Sequence, residues 1–170
     1  KSFNTCIGID DIDNKTQKKN DLYSCFDKFS ETEQLDEDNE WYCKKCKKHQ
    51  KAYKRLQLYY LPKLLIIHLK RFTNSGNRYY GWSKNNSYVD FPIENLDLSK
   101  YVTGPDKDTS VYDLYAVSQH YGGVGGGHYT AVAKNSGRWY SFNDSSVSNT
   151  GESDIKSSAA YVLFYRRKTD

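Results

Sequence analysis

The run Leu64-Leu65-Ile66-Ile67-His68-Leu69 constrains this chain more than any other segment. It is apolar without alternation, partly β-branched, and closed by Pro62-Lys63 on one side and Lys70-Arg71 on the other. A short bounded run of this kind predicts a central strand buried on both faces. It also sets a limit. Crossing a bilayer takes about 18 apolar residues or more, and Leu61 to Leu69 is interrupted by Pro62, Lys63 and His68. No membrane partner is therefore expected.

The rest of the chain supplies companions for that strand. Tyr112 to Gln119, His128 to Lys134, Arg138 to Phe142 and Ala159 to Tyr165 read as strands joined by short turns, which predicts one antiparallel sheet with few helices. Gln50 to Tyr60 alternates through Ala52, Lys54, Leu56 and Leu58, the strand period. Tyr88 to Ile93 reads as a short strand stopped by Pro92, and Asn74 to Ser87 as a polar hairpin loop. Leu22, Cys25, Phe26 and Phe29 share one face of a helix. Ser30 is placed to cap the segment after it, with Glu33 completing a capping box. Residues 31–40 read as an acidic loop and residues 1–20 as a flexible lead-in. Residue 1 is Lys and the chain contains no Met, so an N-terminal portion is expected to be missing.

Composition narrows the class. The chain of 170 residues is about one domain, with 15 % aromatic residues and 16 tyrosines to build a core. Collagen-like and acidic disordered classes are excluded. The formal charge of +4 is a mild excess that names no nucleic-acid partner. Its basic part, from Lys44 to Arg55, comes after the acidic segment and reads as a solvated face.

Two constellations bear chemistry. Cys43 and Cys46 form a C-x-x-C pair, which on a tight turn holds one side of a zinc tetrahedron. His49 stands close enough to be a third ligand, while Cys6 and Cys25 lack the spacing of a second pair. The pair is half a zinc site or two free thiols at a surface turn. A redox role lacks the strand-to-helix setting it needs. The second constellation is Gly122 to Gly127, interrupted only by Val124, directly before His128. Glycines let backbone approach a ligand and let a loop move over a cleft. If the strands after His128 and before Asn143 pair as a hairpin, the two side chains meet at one end. Asn143 then orients the imidazole through one nitrogen and leaves the other for a nucleophile. A plain loop histidine is the competing reading, and no activated thiol or serine is evident. His68, inside the apolar run, reads as a structural histidine.

From Leu22 onward the chain resembles the C-terminal part of the catalytic domain of ubiquitin-specific proteases, the papain-like cysteine deubiquitinases. The segments that carry the likeness are Trp41-Tyr42-Cys43-x-x-Cys46, Leu61-Pro62-x-Leu64 through Phe72, Val89-x-Phe91-Pro92, Tyr112-x-Leu114-Tyr115-Ala116-Val117, Gly127-His128-Tyr129-Thr130-Ala131, Trp139-Tyr140-x-Phe142-Asn143-Asp144 and Ala160 through Tyr165. The nearest subgroup is the one whose catalytic domain is split by a long insertion.

The resemblance implies an α+β, papain-like fold. This chain would supply helix and fingers over 22–60 and palm over 61–170, without the N-terminal helical thumb. It implies His128 as general base, Asn143 as its orienter and Asp144 as an adjacent acid. His120, Gly122, Gly123, Gly125, Gly126, Gly127 and Tyr129 would line a channel for the substrate tail. Cys43 and Cys46 would be half of a structural zinc ribbon, with no cofactor for catalysis. The nucleophilic cysteine would lie in the missing half, leaving this piece inactive alone. Ubiquitin, ubiquitinated proteins and that other half are the implied partners, in the cytoplasm, the nucleus or both. A non-catalytic ubiquitin-binding or scaffold module is the alternative. A nucleic-acid-binding ribbon on the cysteines and lysines fits less well, given the acidic segment and the length of the match.

Overall fold

The computed structural model describes residues 5–8, 20–74 and 81–168. A mainly antiparallel sheet organises them. Its strands run in the order β1 (Thr5–Gly8), β6 (Leu64–Lys70), β14 (Ala160–Arg167), β10 (Val111–Gly122), β11 (Gly127–Asn135), β12 (Arg138–Asn143) and β13 (Ser146–Asn149), with β9 (Leu96–Asp97) also on β10. Only the β1–β6 pairing is parallel among these strands. Three two-stranded ribbons stand off the sheet: β2 (Glu33–Gln34) with β5 (Tyr53–Lys54), β3 (Trp41–Cys43) with β4 (Lys48–Gln50), and β7 (Phe72–Asn74) with β8 (Trp82–Lys84).

Helix α1 (Leu22–Phe29) begins where Asp21 accepts a hydrogen bond from the Ser24 N–H at 2.8 Å. Its Leu22, Cys25 and Phe26 are buried, as spacing of three and four residues demands. They pack in one core with Leu65, Ile67 and Leu69 of β6, Leu163 and Tyr165 of β14, and Tyr112, Leu114 and Val117 of β10. The tyrosines in this core are satisfied. The Tyr165 hydroxyl donates to the Pro92 carbonyl and that of Tyr112 to the Pro62 carbonyl, both at 2.7 Å. A tyrosine-rich chain can thus build an apolar interior without stranding its hydroxyls.

Several expectations are corrected. Strand β6 is buried on one face only. Leu65, Ile67 and Leu69 are at most 2 % exposed, whereas Leu64 is 51 % exposed and Ile66 and His68 are half-buried. The outer face is only partly covered, by contacts such as that of His68 with the Tyr161 ring, so apolar residues sit on both sides while one is fully packed. The strand expected from Gln50 to Tyr60 is broken into β4, β5 and a single bridge at Leu58 to Val102. Of its alternating residues Lys54 and Leu56 are exposed, Ala52 is half-buried and Leu58 packs against the core, so no single face of a sheet is formed. Tyr88 to Ile93 contributes one bridge, at Asp90. Ser30 closes α1 instead of opening a second helix; its hydroxyl donates to the Phe26 carbonyl at 2.8 Å. The sequence reading missed β13 and the short helix α2 (Glu152–Ile155). Of the lead-in expected over residues 1–20, residues 1–4 and 9–19 lie outside the described residues, and Thr5–Gly8 forms the edge strand β1.

Candidate active site

The site is built on the β10–β11 hairpin. Its register pairs His120 with Tyr129, Tyr121 with His128 and Gly122 with Gly127. Two of the loop glycines are demanded by the backbone. Gly122 has φ +94°, and a Cβ there would lie 2.7 Å from the Gly126 carbonyl oxygen. A Cβ on Gly127 would run into the His120 ring and sit 2.5 Å from the Tyr121 carbonyl oxygen. Gly123, Gly125 and Gly126 have open space around them.

Strand β12 lies against β11 with Ala131 opposite Phe142. This register brings Asn143 beside His128, and His128 Nε2 stands 2.6 Å from Asn143 Oδ1. An amide oxygen only accepts, so Nε2 carries the proton and Nδ1 is left with its lone pair. Both residues are exposed. Asp144 comes next, in the two-residue turn to β13, with φ +50°. Asn and Asp tolerate this left-handed conformation better than most residues. Asp144 is exposed, and the ring's partner is Asn143.

Alternation along paired strands divides the remaining candidates between two faces. Tyr121, His128, Thr130 and Asn143 share one face. His120 and Tyr129 lie on the other, in a cluster of rings with Phe72 and Tyr161. The His120 ring centroid is 4.7 Å from that of Tyr129 and 5.5 Å from that of Phe72. A cavity of about 440 Å³ opens here, lined by His120, Gly123, Gly126, Gly127 and Tyr129 together with Phe72, Trp82 and Val124. Five of the expected channel residues therefore meet, while Gly122 and Gly125 do not line the cavity. Phe72 and Trp82 were missed. They arrive on the β7–β8 ribbon, distant in sequence, and Trp82 in an otherwise polar Gly-bearing stretch was the available signal.

His120 is buried, and its Nδ1 has no hydrogen-bond partner among the described residues. Burial, and secondarily the nearby Lys84, holds its imidazole below the ordinary value. The Lys84 ammonium donates to the His120 carbonyl at 2.7 Å. His68 makes an edge contact with Tyr161 at 4.6 Å, and its Nε2 also lacks a partner among the described residues. The satisfied histidine expected at this position is therefore one with an unpartnered ring nitrogen among the described residues.

Cys43 and Cys46 lie far from this face, at the tip of the β3–β4 ribbon. The Cys46 N–H points at the Cys43 sulfur at 3.5 Å. That donor lowers the Cys43 thiol, outweighing the opposing effect of desolvation. Two thiols on such a turn fit one side of a tetrahedral metal site. His49, the third ligand the spacing allowed, does not stand with the cysteines in this structure. It alternates to the other face of the ribbon, against the Tyr42 ring at 5.3 Å and the Glu40 carbonyl at 3.3 Å. No group of three or more metal-ligating side chains occurs among the described residues. Cys25 is buried in the core, where desolvation raises its thiol, and Cys6 lies on β1, beyond β10, β14 and β6 from β11. None of these cysteines is placed beside His128. No helix among the described residues is long and apolar enough to cross a membrane.

Comparison with known proteins agrees with this architecture. Residues 7–165 match the family described as ubiquitin carboxyl-terminal hydrolase. The chain is 52 % identical over 153 residues to Ubiquitin carboxyl-terminal hydrolase 9 of Arabidopsis thaliana, covering 89 % of this chain and 16 % of that protein. It is 50 % identical over 149 residues to Ubiquitin carboxyl-terminal hydrolase 15 of Homo sapiens, covering 86 % of this chain and 15 % of that one. Among solved structures, the SAGA Ubp8/Sgf11/Sus1/Sgf73 DUB module bound to ubiquitin aldehyde superposes with a TM-score of 0.77 at 32 % identity, over 98 % of this chain and 36 % of that chain. A yeast SAGA DUBm with a mutant Sgf73 gives the same score and identity, over 98 % and 35 %. The chain thus spans a small part of each relative's length.

Proposed function

Since this chain belongs to the ubiquitin carboxyl-terminal hydrolase family, we propose that it supplies the base-bearing part of a cysteine-type deubiquitinase site. Residues 22–60 serve as helix and fingers and 61–170 as palm. The observation that carries the reading is the 2.6 Å contact between His128 Nε2 and Asn143 Oδ1. It fixes the tautomer in which Nδ1 is basic. A cysteine from a part of the protein outside this chain meets Nδ1 and forms a thiolate–imidazolium pair. The thiolate attacks the carbonyl carbon of ubiquitin's last glycine, and donors from that other part stabilise the oxyanion. His128 then gives its proton to the departing lysine amine. The thioester left behind is hydrolysed with His128 drawing a proton from water. Asn143 accepts from the ring as a carboxylate would, with weaker support for the imidazolium. Asp144 adds negative charge at the rim.

The aromatic cleft and the Gly122–Gly127 loop receive the extended tail of ubiquitin. Glycine at the positions with open space around them leaves room for backbone to pass closely. Support for ubiquitin as the partner comes from the module that superposes on this chain and is bound to ubiquitin aldehyde. Cys43 and Cys46 serve as half of a structural zinc site completed from outside this chain, and no step of the chemistry uses it.

The test is hydrolysis of ubiquitin carrying a C-terminal fluorogenic amide. The chain alone is expected to be inactive, and a mixture with the nucleophile-bearing part of the same protein active. His128→Ala is expected to lower turnover by roughly 10²- to 10⁴-fold. Near-normal turnover in that variant would remove His128 from the chemistry. An inactive mixture that still binds ubiquitin would favour the non-catalytic module.

A further inference from the structure

His128 and Asn143 are both exposed, so burial does not hold them at 2.6 Å. Something beneath them must. Gln119 is 3 % exposed and lies on their face of the sheet, opposite Thr130 in the β10–β11 register. Its side-chain amide is engaged on both ends. The amide nitrogen donates to the Asp154 carbonyl at 2.5 Å and to the Ser157 hydroxyl at 3.1 Å. The amide oxygen accepts from the Thr130 hydroxyl at 3.0 Å and from the Tyr121 hydroxyl at 3.3 Å.

The two residues on the oxygen side flank the histidine. Tyr121 stands directly across from His128, and Thr130 is two positions further along the same strand and face. The nitrogen side reaches the other strand of the pair. Asp154 also accepts from the Thr150 hydroxyl, and the Thr150 N–H donates to the Trp139 carbonyl at 3.1 Å on β12, the strand that ends in Asn143. One buried amide therefore ties the strand of the histidine to the segment that braces the strand of the asparagine.

We infer that Gln119 is a positioning residue for the His128–Asn143 pair, acting through Thr130 and Tyr121 on one side and the Asp154–Thr150 segment on the other. This rests on the reading of His128 as base. A fully engaged buried amide holds its neighbours in a single arrangement, and an apolar replacement leaves several polar groups without partners. The pair then loses its fixed register, and misplacement of a catalytic group by a fraction of an ångström is felt in kcat.

The experiment is a double-mutant cycle in the intact protein, with ubiquitin carrying a C-terminal fluorogenic amide. Gln119→Leu is expected to lower kcat by roughly 10- to 100-fold with KM changed little. In the Asn143→Ala background, where the pair is already broken, the same change is expected to cost less than about threefold. A purely structural role would instead cost the same in both backgrounds, and that additivity would overturn the inference. So would a folded Gln119→Leu protein with kcat within about twofold of the parent. Should Gln119→Leu fail to fold, Thr130→Val removes one hydroxyl without changing shape, and the same non-additivity with Asn143→Ala is expected. If His128→Ala leaves turnover near normal, the base assignment falls and takes this inference with it. An inactive His128→Ala beside a fully active Gln119→Leu overturns the inference alone.

Discussion

A Cβ at Gly127 would collide with the His120 ring and the Tyr121 carbonyl oxygen, while a Cβ at Gly126 would meet nothing within 4 Å. The two neighbouring glycines should therefore respond differently to the same change. Gly127→Ala is expected to destabilise the chain by about 2 kcal/mol, since a backbone carbonyl and a packed ring cannot both give way. Gly126→Ala is expected to fall within about 0.5 kcal/mol of the parent. Urea midpoints of the two variants check this; equal midpoints would mean that the hairpin end adapts to a side chain. At this scale the site was partly legible. The glycine run and the spacing of His128 and Asn143 are local facts, and a hairpin is enough to bring the two together. Phe72 and Gln119 were not legible there, and Trp82 only as a lone aromatic in a polar stretch. Phe72 and Trp82 reach the cavity on a ribbon distant in sequence, and the contacts of Gln119 depend on a cross-strand register that no short window contains.

Strand β6 separates at alternate residues into a packed face and an open one. Ile67 is fully buried, and Ile67→Ala is expected to cost about 3 kcal/mol in this chain. Leu64 is 51 % exposed, and Leu64→Ser is expected to change stability by less than about 0.5 kcal/mol while improving solubility. Thermal melts and sedimentation of the two variants check the contrast. A large loss at Leu64 would mean that the outer face is packed in solution, for instance against a second copy. The same strand shows why element type was read more readily than burial. An unbroken apolar run says that both faces avoid water, and a single chain can pack only the face for which it holds a second layer. Helix α1 was legible because Leu22, Cys25, Phe26 and Phe29 recur at helical spacing, whereas its caps were not: Asp21 was passed over and Ser30 was read as opening the next segment. The alternation from Gln50 to Tyr60 misled for the opposite reason. A period of two fits any extended segment, and Leu56 and Tyr60, 44 % and 64 % exposed, alternate without a sheet to bury them.

The molecule as a whole is a sheet with its core on one side and rings on the other. The core side holds α1 and the satisfied tyrosines. On the open side His68, Phe72, His120, Tyr129 and Tyr161 stack in a chain of ring contacts. Two of those rings titrate. Burial lowers the His68 imidazole, aided by Lys70, and burial lowers that of His120, aided by Lys84. Each also keeps one ring nitrogen without a hydrogen-bond partner among the described residues. The unfolded chain has no such constraint, and its histidines take up protons near pH 6.5. Below that point and above the depressed values in the fold, the unfolded state binds more protons, so stability rises with pH. The contribution is complete above about pH 6.5 and is lost progressively as pH falls from there through the folded values. The urea midpoint is therefore expected to drop between pH 7.5 and pH 5.5. His68→Phe keeps a ring against Tyr161 and removes one of the titrating groups, so its midpoint should fall less steeply over the same interval. A midpoint that is flat in the parent, or a slope unchanged by His68→Phe, would show that these rings become hydrated on protonation without loosening the sheet.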